Sequence, residues 1–451
     1  MSVTQASPFA SKTRLASLVQ SLRSNLFLRR VGIMSGSAAT GHLFTLAAGP
    51  LLTRIYGPAE FGALGLFTSF LSIGGVALTL QYELSIVVGA DEREAAHLTL
   101  ASLMLTLPMS MLSGVALWLL MLGKIAGFGG LPSFAPGLMF FSMLLIGLFT
   151  ALRYWSLREG QFGWIAQATV VQSATRAILQ AGLGAIGMLP SGLLLGEALG
   201  RGMGITRILR NAWPRLKQHA LHSRWAEFKS ALLKHRKFPL YSFPSSFLDA
   251  LCLGLPLPML VHLYGVPLGG YYSLVWKVIT VPTVLIGVSI ADTFHNSLAT
   301  YARETPERVM QLFRSTSFGL LAIGVVPTTL LLFFGPAMFR MVFGARWGIS
   351  GAIAAVVAPW YLAQFVASPL SRVVFVLSGQ EVKLLWDLLC LASLCGVFFF
   401  VQKTHLEPMH AIRLLSSVYA ALFVVYYLIL YNLVARFADQ NAMVEATVLE
   451  G

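Results

Sequence analysis

Apolar residues run along this chain in twelve stretches, each about long enough to cross a bilayer, with little polar sequence between them. A helix needs roughly 20 apolar residues to span the hydrocarbon core, where only segments that satisfy their own backbone hydrogen bonds persist. The pattern predicts helices at 31–55, 61–82, 97–122, 135–156, 162–187 and 191–208. A second set follows at 239–264, 268–291, 312–338, 349–377, 382–402 and 411–433. The expected fold is all-α and polytopic: about twelve transmembrane helices in two six-helix lobes around a central cavity.

Composition sharpens this picture. A chain of 451 residues that is 56% hydrophobic and 11% charged, with a mean hydropathy of +0.74, cannot hide its apolar surface inside soluble globules. The net charge of +14 raises nucleic-acid binding as a reading. It fails, because Lys and Arg sit in short segments between spans, where cytoplasmic loops of membrane proteins collect them.

With the amino terminus inside, one face receives Arg93, Arg153, Arg158, a dense run from Arg207 to Lys237, then Arg303, Arg308, Arg314, Lys383 and Arg436. The other receives only Arg54, Lys124, Arg340, Arg346, Lys403 and Arg413. Both termini are therefore expected in the cytoplasm. The basic run before span 1 has the look of a signal-peptide n-region, but the apolar run continues for a full span, which favours an uncleaved start.

The expected organisation is a cytoplasmic amphipathic segment (1–30), a first lobe (31–210), a basic cytoplasmic linker (211–237), a second lobe (238–434) and a cytoplasmic tail (435–451). Leu15, Leu18, Val19, Leu22 and Leu26 repeat at helical spacing among arginines, as do Trp225, Phe228, Leu232 and Leu233 in the linker. Each set fits a helix lying on an anionic leaflet, or equally a solvated positive-inside segment.

The halves share a trace of duplication. Leu52-Thr53-Arg54-Ile55-Tyr56-Gly57 ends span 1 and Leu260-Val261-His262-Leu263-Tyr264-Gly265 ends span 7; Gly62 and Gly270 each follow five residues later. An offset of six crossings makes the lobes parallel repeats about an axis along the membrane normal, an arrangement that transporters use.

Cys252, Cys390 and Cys395 all fall in apolar stretches, and the nine histidines form no HExxH-type pair, so no disulfide framework, metal centre or other cofactor is expected. The longest external segment, from about Gly123 to Pro136, has Lys124 as its sole charge and no carboxylate or histidine for acid/base work, which argues against an enzyme that joins sugars. Nothing resembles a selectivity filter or a ring of like charges, as a channel would need.

Ionisable groups inside the spans are functional candidates by default. They are Arg176 in span 5, Glu197 and Arg201 in span 6, Asp249 in span 7, Lys277 in span 8 and Asp387 in span 11, with Arg54 and Arg372 nearer span ends. Glu197 and Arg201 stand four residues apart and are expected to pair on one helix face as a structural ion pair, with Arg176 a candidate to join them from the neighbouring helix. Arg372 and Asp387, on consecutive helices, are expected to pair likewise as a structural ion pair.

Lys277 has no carboxylate three or four residues away; it snorkels, pairs with Asp249 across the span 7–8 hairpin, or binds substrate. Asp249 lies among Pro239, Pro244, Pro256 and Pro258, in a span that should be bent or broken and can serve as a hinge, which marks this carboxylate for coupling or gating. A guanidinium at Arg54 either snorkels into headgroups or holds phosphate through two bonds.

Pro50-Leu51-Leu52-Thr53-Arg54-Ile55-Tyr56-Gly57-Pro58-Ala59-Glu60-Phe61-Gly62, then Gln81-Tyr82-Glu83-Leu84-Ser85-Ile86-Val87 and Asp91-Glu92-Arg93-Glu94, resembles the polysaccharide transporter (Wzx-type flippase) family. Gly270-Tyr271-Tyr272-Ser273-Leu274, Phe343-Gly344-Ala345-Arg346-Trp347 and Ser368-Pro369-Leu370-Ser371-Arg372 extend the similarity through the second half. The resemblance places the chain in the multidrug/oligosaccharidyl-lipid/polysaccharide exporter superfamily. It implies alternating access and a cargo of undecaprenyl-diphosphate-linked oligosaccharide destined for O-antigen, capsule or exopolysaccharide, with polymerase and assembly proteins as partners besides the membrane lipids. Arg54, Glu83 and Arg372 fall on family motifs. An anionic headgroup is then expected at Arg54, Arg176, Arg201 and Lys277, with Asp249 and Glu83 in coupling or gating. The rivals are a peptidoglycan-precursor lipid flippase and a drug/cation antiporter; the antiporter would need acidic residues in its cavity.

Overall fold

A computed structural model describes residues 26–220, 225–377 and 380–450, and the regular elements among them are helices. The first half contains α1 (Leu26–Ile55), α2 (Pro58–Gly75), α3 (Tyr82–Val88), α4 (Glu92–Leu122), α5 (Ala135–Arg158), α6 (Phe162–Ala185), α7 (Ser191–Gly202) and α8 (Ile205–Ala220). After α9 (Trp225–Lys234) come α10 (Phe243–Gly254), α11 (Pro256–Tyr264), α12 (Val266–Pro282), α13 (Val288–Glu304) and α14 (Val309–Phe343). The chain finishes with α15 (Gly348–Leu370), α16 (Arg372–Val376), α17 (Gln380–Thr404) and α18 (Pro408–Glu450). These elements make an all-α polytopic membrane protein with two six-helix lobes.

Among the described residues, eight helical stretches are long and apolar enough to cross a membrane. The remaining spans are α1, α2 with α3, α6, and α7 with α8, all in the first half. In α1, α6 and α7 the hydropathy is diluted by His42, Gln172, Arg176, Gln180, Glu197 and Arg201, residues that face an internal chamber rather than lipid.

Several expected continuous spans are broken, each for a local reason. Span 2 ends at Gly75, and the turns that follow carry Leu80 and Gln81 at φ of 50° and 64° before α3 begins. Span 6 divides at Gly204, whose φ of +83° strains any side chain and whose place beside the Ala168 backbone leaves a Cβ only tight contacts of 3.0–3.2 Å. Span 7 is bent as its prolines predict. A wide turn at Phe238–Ser242 precedes α10, and α10 and α11 meet at Leu255, just before Pro256.

Span 8 passes through a second wide turn at Thr283–Gly287, after Pro282, and runs on to Glu304. The basic linker is largely helical. Ile205, Ile208, Ala212 and Leu216 form a buried stripe on α8 while Arg207, Arg210 and Arg215 lie on its other sides. The expected tail likewise continues as α18 through Glu450. The amphipathic pattern before Leu26 lies outside the described residues.

The lobes meet where α2 crosses α12. A Cβ on Gly62 would strike the Val266 carbonyl, and a Cβ on Gly270 would strike the Pro58 carbonyl. Pro58 and Val266 occupy the same place in the two repeats, as do Gly62 and Gly270. The contact is therefore reciprocal, as a two-fold axis between parallel repeats requires. Ser273 Oγ adds a hydrogen bond to the Phe61 carbonyl at 3.2 Å.

One end of this interface is sealed. Arg346 donates to the carbonyls of Thr53 at 2.8 Å and Arg54 at 2.9 Å, and the Trp347 indole donates to Thr53 at 3.0 Å. The final carbonyls of α1, which have no partner within their own helix, are thus satisfied from the opposite lobe.

Candidate functional site

Away from the seal, a chamber of about 1230 Å³ opens between α2, α10, α12, α16 and α17. Its wall carries Thr68, Ser69, Ser72, Asp249, Trp276 and Lys383, and it reaches Gln81 at the far end of span 2. A smaller chamber of about 360 Å³ lies between α1, α6 and α7 of the first lobe and α12 and α14 of the second. Thr68 and Lys277 belong to both walls.

The smaller chamber is built around one buried carboxylate. Glu197 Oε1 accepts from Arg176 Nη1 at 3.1 Å and from Arg201 Nη2 at 2.7 Å, and Gln180 Nε2 reaches Oε2 at 3.4 Å. Backbone geometry makes this cluster possible. A Cβ at Gly200 would overlap Arg176, and one at Gly196 would overlap Gln180, so two glycines on α7 admit α6 at close range. The pair expected at Glu197 and Arg201 is present, and Arg176 joins it.

Lys277 stands on α12 with its ammonium 5.3 Å from the centre of the Phe61 ring. Among the described residues no carboxylate lies within ion-pair distance of it. Three cations against one carboxylate leave the smaller chamber positive by two formal charges. Burial restricts water there, so these charges act on a ligand with little screening.

The other sequence candidates lie elsewhere. Arg54 is exposed at the end of α1 and lines neither chamber, because the helix end is turned into the seal. Glu83 is buried at the start of α3, outside both walls, where it accepts a hydrogen bond from Thr79.

Asp249 lines the large chamber but does not meet Lys277; its partner is Lys383 Nζ at 3.4 Å. Lys383 also pairs with Asp387, one turn along its own helix. The expected Arg372–Asp387 pair is therefore absent. The i,i+4 partner on α17 captures Asp387, while Arg372, at the start of α16 where that helix packs on α13, approaches Asp292 at 3.9 Å.

Sequence reasoning missed Lys383, counting it as a loop charge, and gave no role to Gln180, His42 or the Arg346–Trp347 seal. Gln180 was legible in principle, because it lies four residues after Arg176 on the face that meets Glu197. Among the described residues no group of three or more His, Cys, Asp or Glu side chains is set to hold a metal.

The sequence matches no protein-family model and no curated protein. The fold does match solved structures. Against an inward-facing multidrug resistance MATE family transporter of the MOP superfamily, the TM-score is 0.64 at 15% identity, over 88% of this chain and 96% of that one. Against the lipid II flippase MurJ in an inward closed conformation, it is 0.66 at 13% identity, over 92% of each chain. A MOP superfamily transporter from Pyrococcus furiosus, described by a reversed polarity of its binding pocket, gives 0.56 at 14% identity over 90% of this chain and 96% of that one. At these identities the likeness is one of fold: the chain is a multi-pass membrane protein with the fold of the MOP superfamily transporters.

Proposed function

We propose that this protein is a flippase that carries an undecaprenyl-diphosphate-linked oligosaccharide across the bacterial inner membrane by alternating access. The observation that carries the reading is the seat of Lys277, a cation without a carboxylate partner among the described residues, in the wall between two chambers. An anionic headgroup satisfies such a charge, and Arg176 and Arg201 stand beside it across the smaller chamber. The hydroxyl-rich large chamber suits the glycan, and the prenyl chain stays in lipid. In this reading the basic end of the bundle faces the cytoplasm, where the cargo is assembled, and polymerase and assembly proteins act on the other side.

Lys277→Met should sharply reduce glycan export while leaving membrane insertion intact, and Lys277→Arg should retain more of it. A hydrogen bond to a charged group contributes about 1.5–3 kcal/mol, so the loss should be on the order of tenfold to a hundredfold in transport rate. Export at the parental rate in Lys277→Met would sink the proposal. The MurJ-like fold supports a second cargo of the same chemistry, a peptidoglycan-precursor lipid. A deletion strain that is viable but lacks surface glycan separates the two.

A further inference from the structure

The large chamber has a second cation, and unlike Lys277 it is already occupied. Lys383 Nζ is held between Asp249 Oδ1 on α10, at 3.4 Å, and Asp387 Oδ1 on its own helix. The two carboxylates differ sharply. Asp387 is buried, its side chain 4% exposed, and its second oxygen has no hydrogen-bond partner among the described residues; the Asp249 side chain, which lines the chamber, is 54% exposed. Lys383 and Asp249 both line the chamber wall. The Asp249 link is thus the weak, solvent-facing half of the bridge, and the Asp387 link is the strong half.

The position of this weak link matters because of the helix it holds. Asp249 lies on α10, a short segment with a wide turn before it at Phe238–Ser242 and a break after it at Leu255. Among the described residues, the ion pair between this segment and α17 is Asp249–Lys383. Cys252, one turn further along α10, donates to the Asp387 carbonyl at 3.4 Å and is buried in the same joint.

We propose that Lys383 is a second anion-binding point held in reserve by Asp249. An anionic headgroup entering the large chamber takes Lys383 from Asp249 and so unlatches the hinged α10 segment from α17. Lys383 keeps Asp387 throughout, so no buried carboxylate is left uncompensated at any stage. The energetic demand is small, because a partly exposed ion pair is exchanged for a phosphate–ammonium pair of similar kind. Cargo binding is thereby coupled to movement of a span that its prolines have already broken. The trigger rests on the reading of the cargo as a lipid diphosphate; the latch itself does not.

Cys252 is a built-in reporter of the joint. In the Cys390→Ser/Cys395→Ser background, the rate at which N-ethylmaleimide modifies Cys252 reads the opening of α10 from α17. Lys383→Met and Asp249→Asn should each raise that rate in the absence of any ligand. The effect should be about tenfold for Lys383→Met, which also strands Asp387 and loosens the joint, and smaller for Asp249→Asn. Inorganic pyrophosphate should accelerate modification of the parent and leave Asp249→Asn unmoved.

Modification at the parental rate in both variants would overturn the latch, whatever the cargo is. Opening by the variants with no response of the parent to pyrophosphate would overturn the anion trigger. A transport defect in Lys277→Met would then show that the flippase reading survives that failure. Lys383→Arg, which preserves both ion pairs, should behave as the parent and controls for disruption of the fold.

Discussion

Lys277 and Glu197 show how differently two ionisable side chains in one bundle can be provided for. Glu197 is met by two guanidiniums and an amide, a satisfied buried network whose removal strands its partners. Glu197→Gln should therefore destabilise the protein by about 3 kcal/mol, because Arg176 and Arg201 lose their counter-charge in a poorly hydrated site. Replacing Glu197, Arg176 and Arg201 together by methionine should recover most of that loss while abolishing transport. Thermal unfolding in detergent measures the first effect and a reconstituted transport assay the second. Lys277 invites the opposite expectation. Its substitution should cost activity and little stability, since among the described residues it has an aromatic ring and no carboxylate to leave behind.

Among helices, the informative feature is the α2–α12 crossing. A Cβ at Gly270 would overlap the Pro58 carbonyl, and main chain cannot step aside as the end of a flexible side chain can. Gly270→Val should cost about 3 kcal/mol and lower the folded yield, an overpacking effect concentrated at the lobe interface. Gly182→Ala is the matched control. A Cβ there meets nothing within 4 Å, so the change should be neutral or stabilising by about 0.5–1 kcal/mol. Purification yield and unfolding midpoint in one detergent compare the two.

The sequence made the spans legible at this scale because a bilayer imposes a length and an apolarity that composition records directly. It hid the breaks in spans 2 and 6, which depend on backbone conformation at Gln81 and Gly204 rather than on hydropathy. It also hid that the basic linker is helical, since a dense run of cations reads as loop until its buried stripe of Ile205, Ile208, Ala212 and Leu216 is set on a helix. Pairing of charges was legible within one helix, as at Glu197 and Arg201. Between helices it was uneven: Arg176 meets Glu197 as expected, but Arg372 does not meet Asp387, because adjacency in sequence order does not fix which faces meet.

At the scale of the whole molecule, the bundle is closed where Arg346 and Trp347 cap the end of α1 and open where Lys383 and Gln81 line the large chamber. Under the proposed alternating access, that seal has to break. Arg346→Ala removes two hydrogen bonds between the lobes and should shift the population toward the state open at the sealed end. Each such bond contributes about 1.5 kcal/mol, so the shift should exceed tenfold. Spin labels placed on α1 and α15 at that end should report a longer distance in the variant. An unchanged distance distribution would mean that the indole of Trp347 alone holds the seal.

The reciprocal contact of Gly62 with Val266 and of Gly270 with Pro58 has a consequence for how the halves have diverged. Both partners in each direction are main-chain carbonyls lying over glycines, so the fit asks nothing of the side chains around it. After a duplication, the two copies were free to drift apart in character, one gathering polar groups around an internal chamber and the other keeping its greasy spans. The visible trace of common descent should then shrink to the few residues that shape the turn and bare the backbone, and the short match from Leu52 to Gly62 against Leu260 to Gly270 is that residue of ancestry.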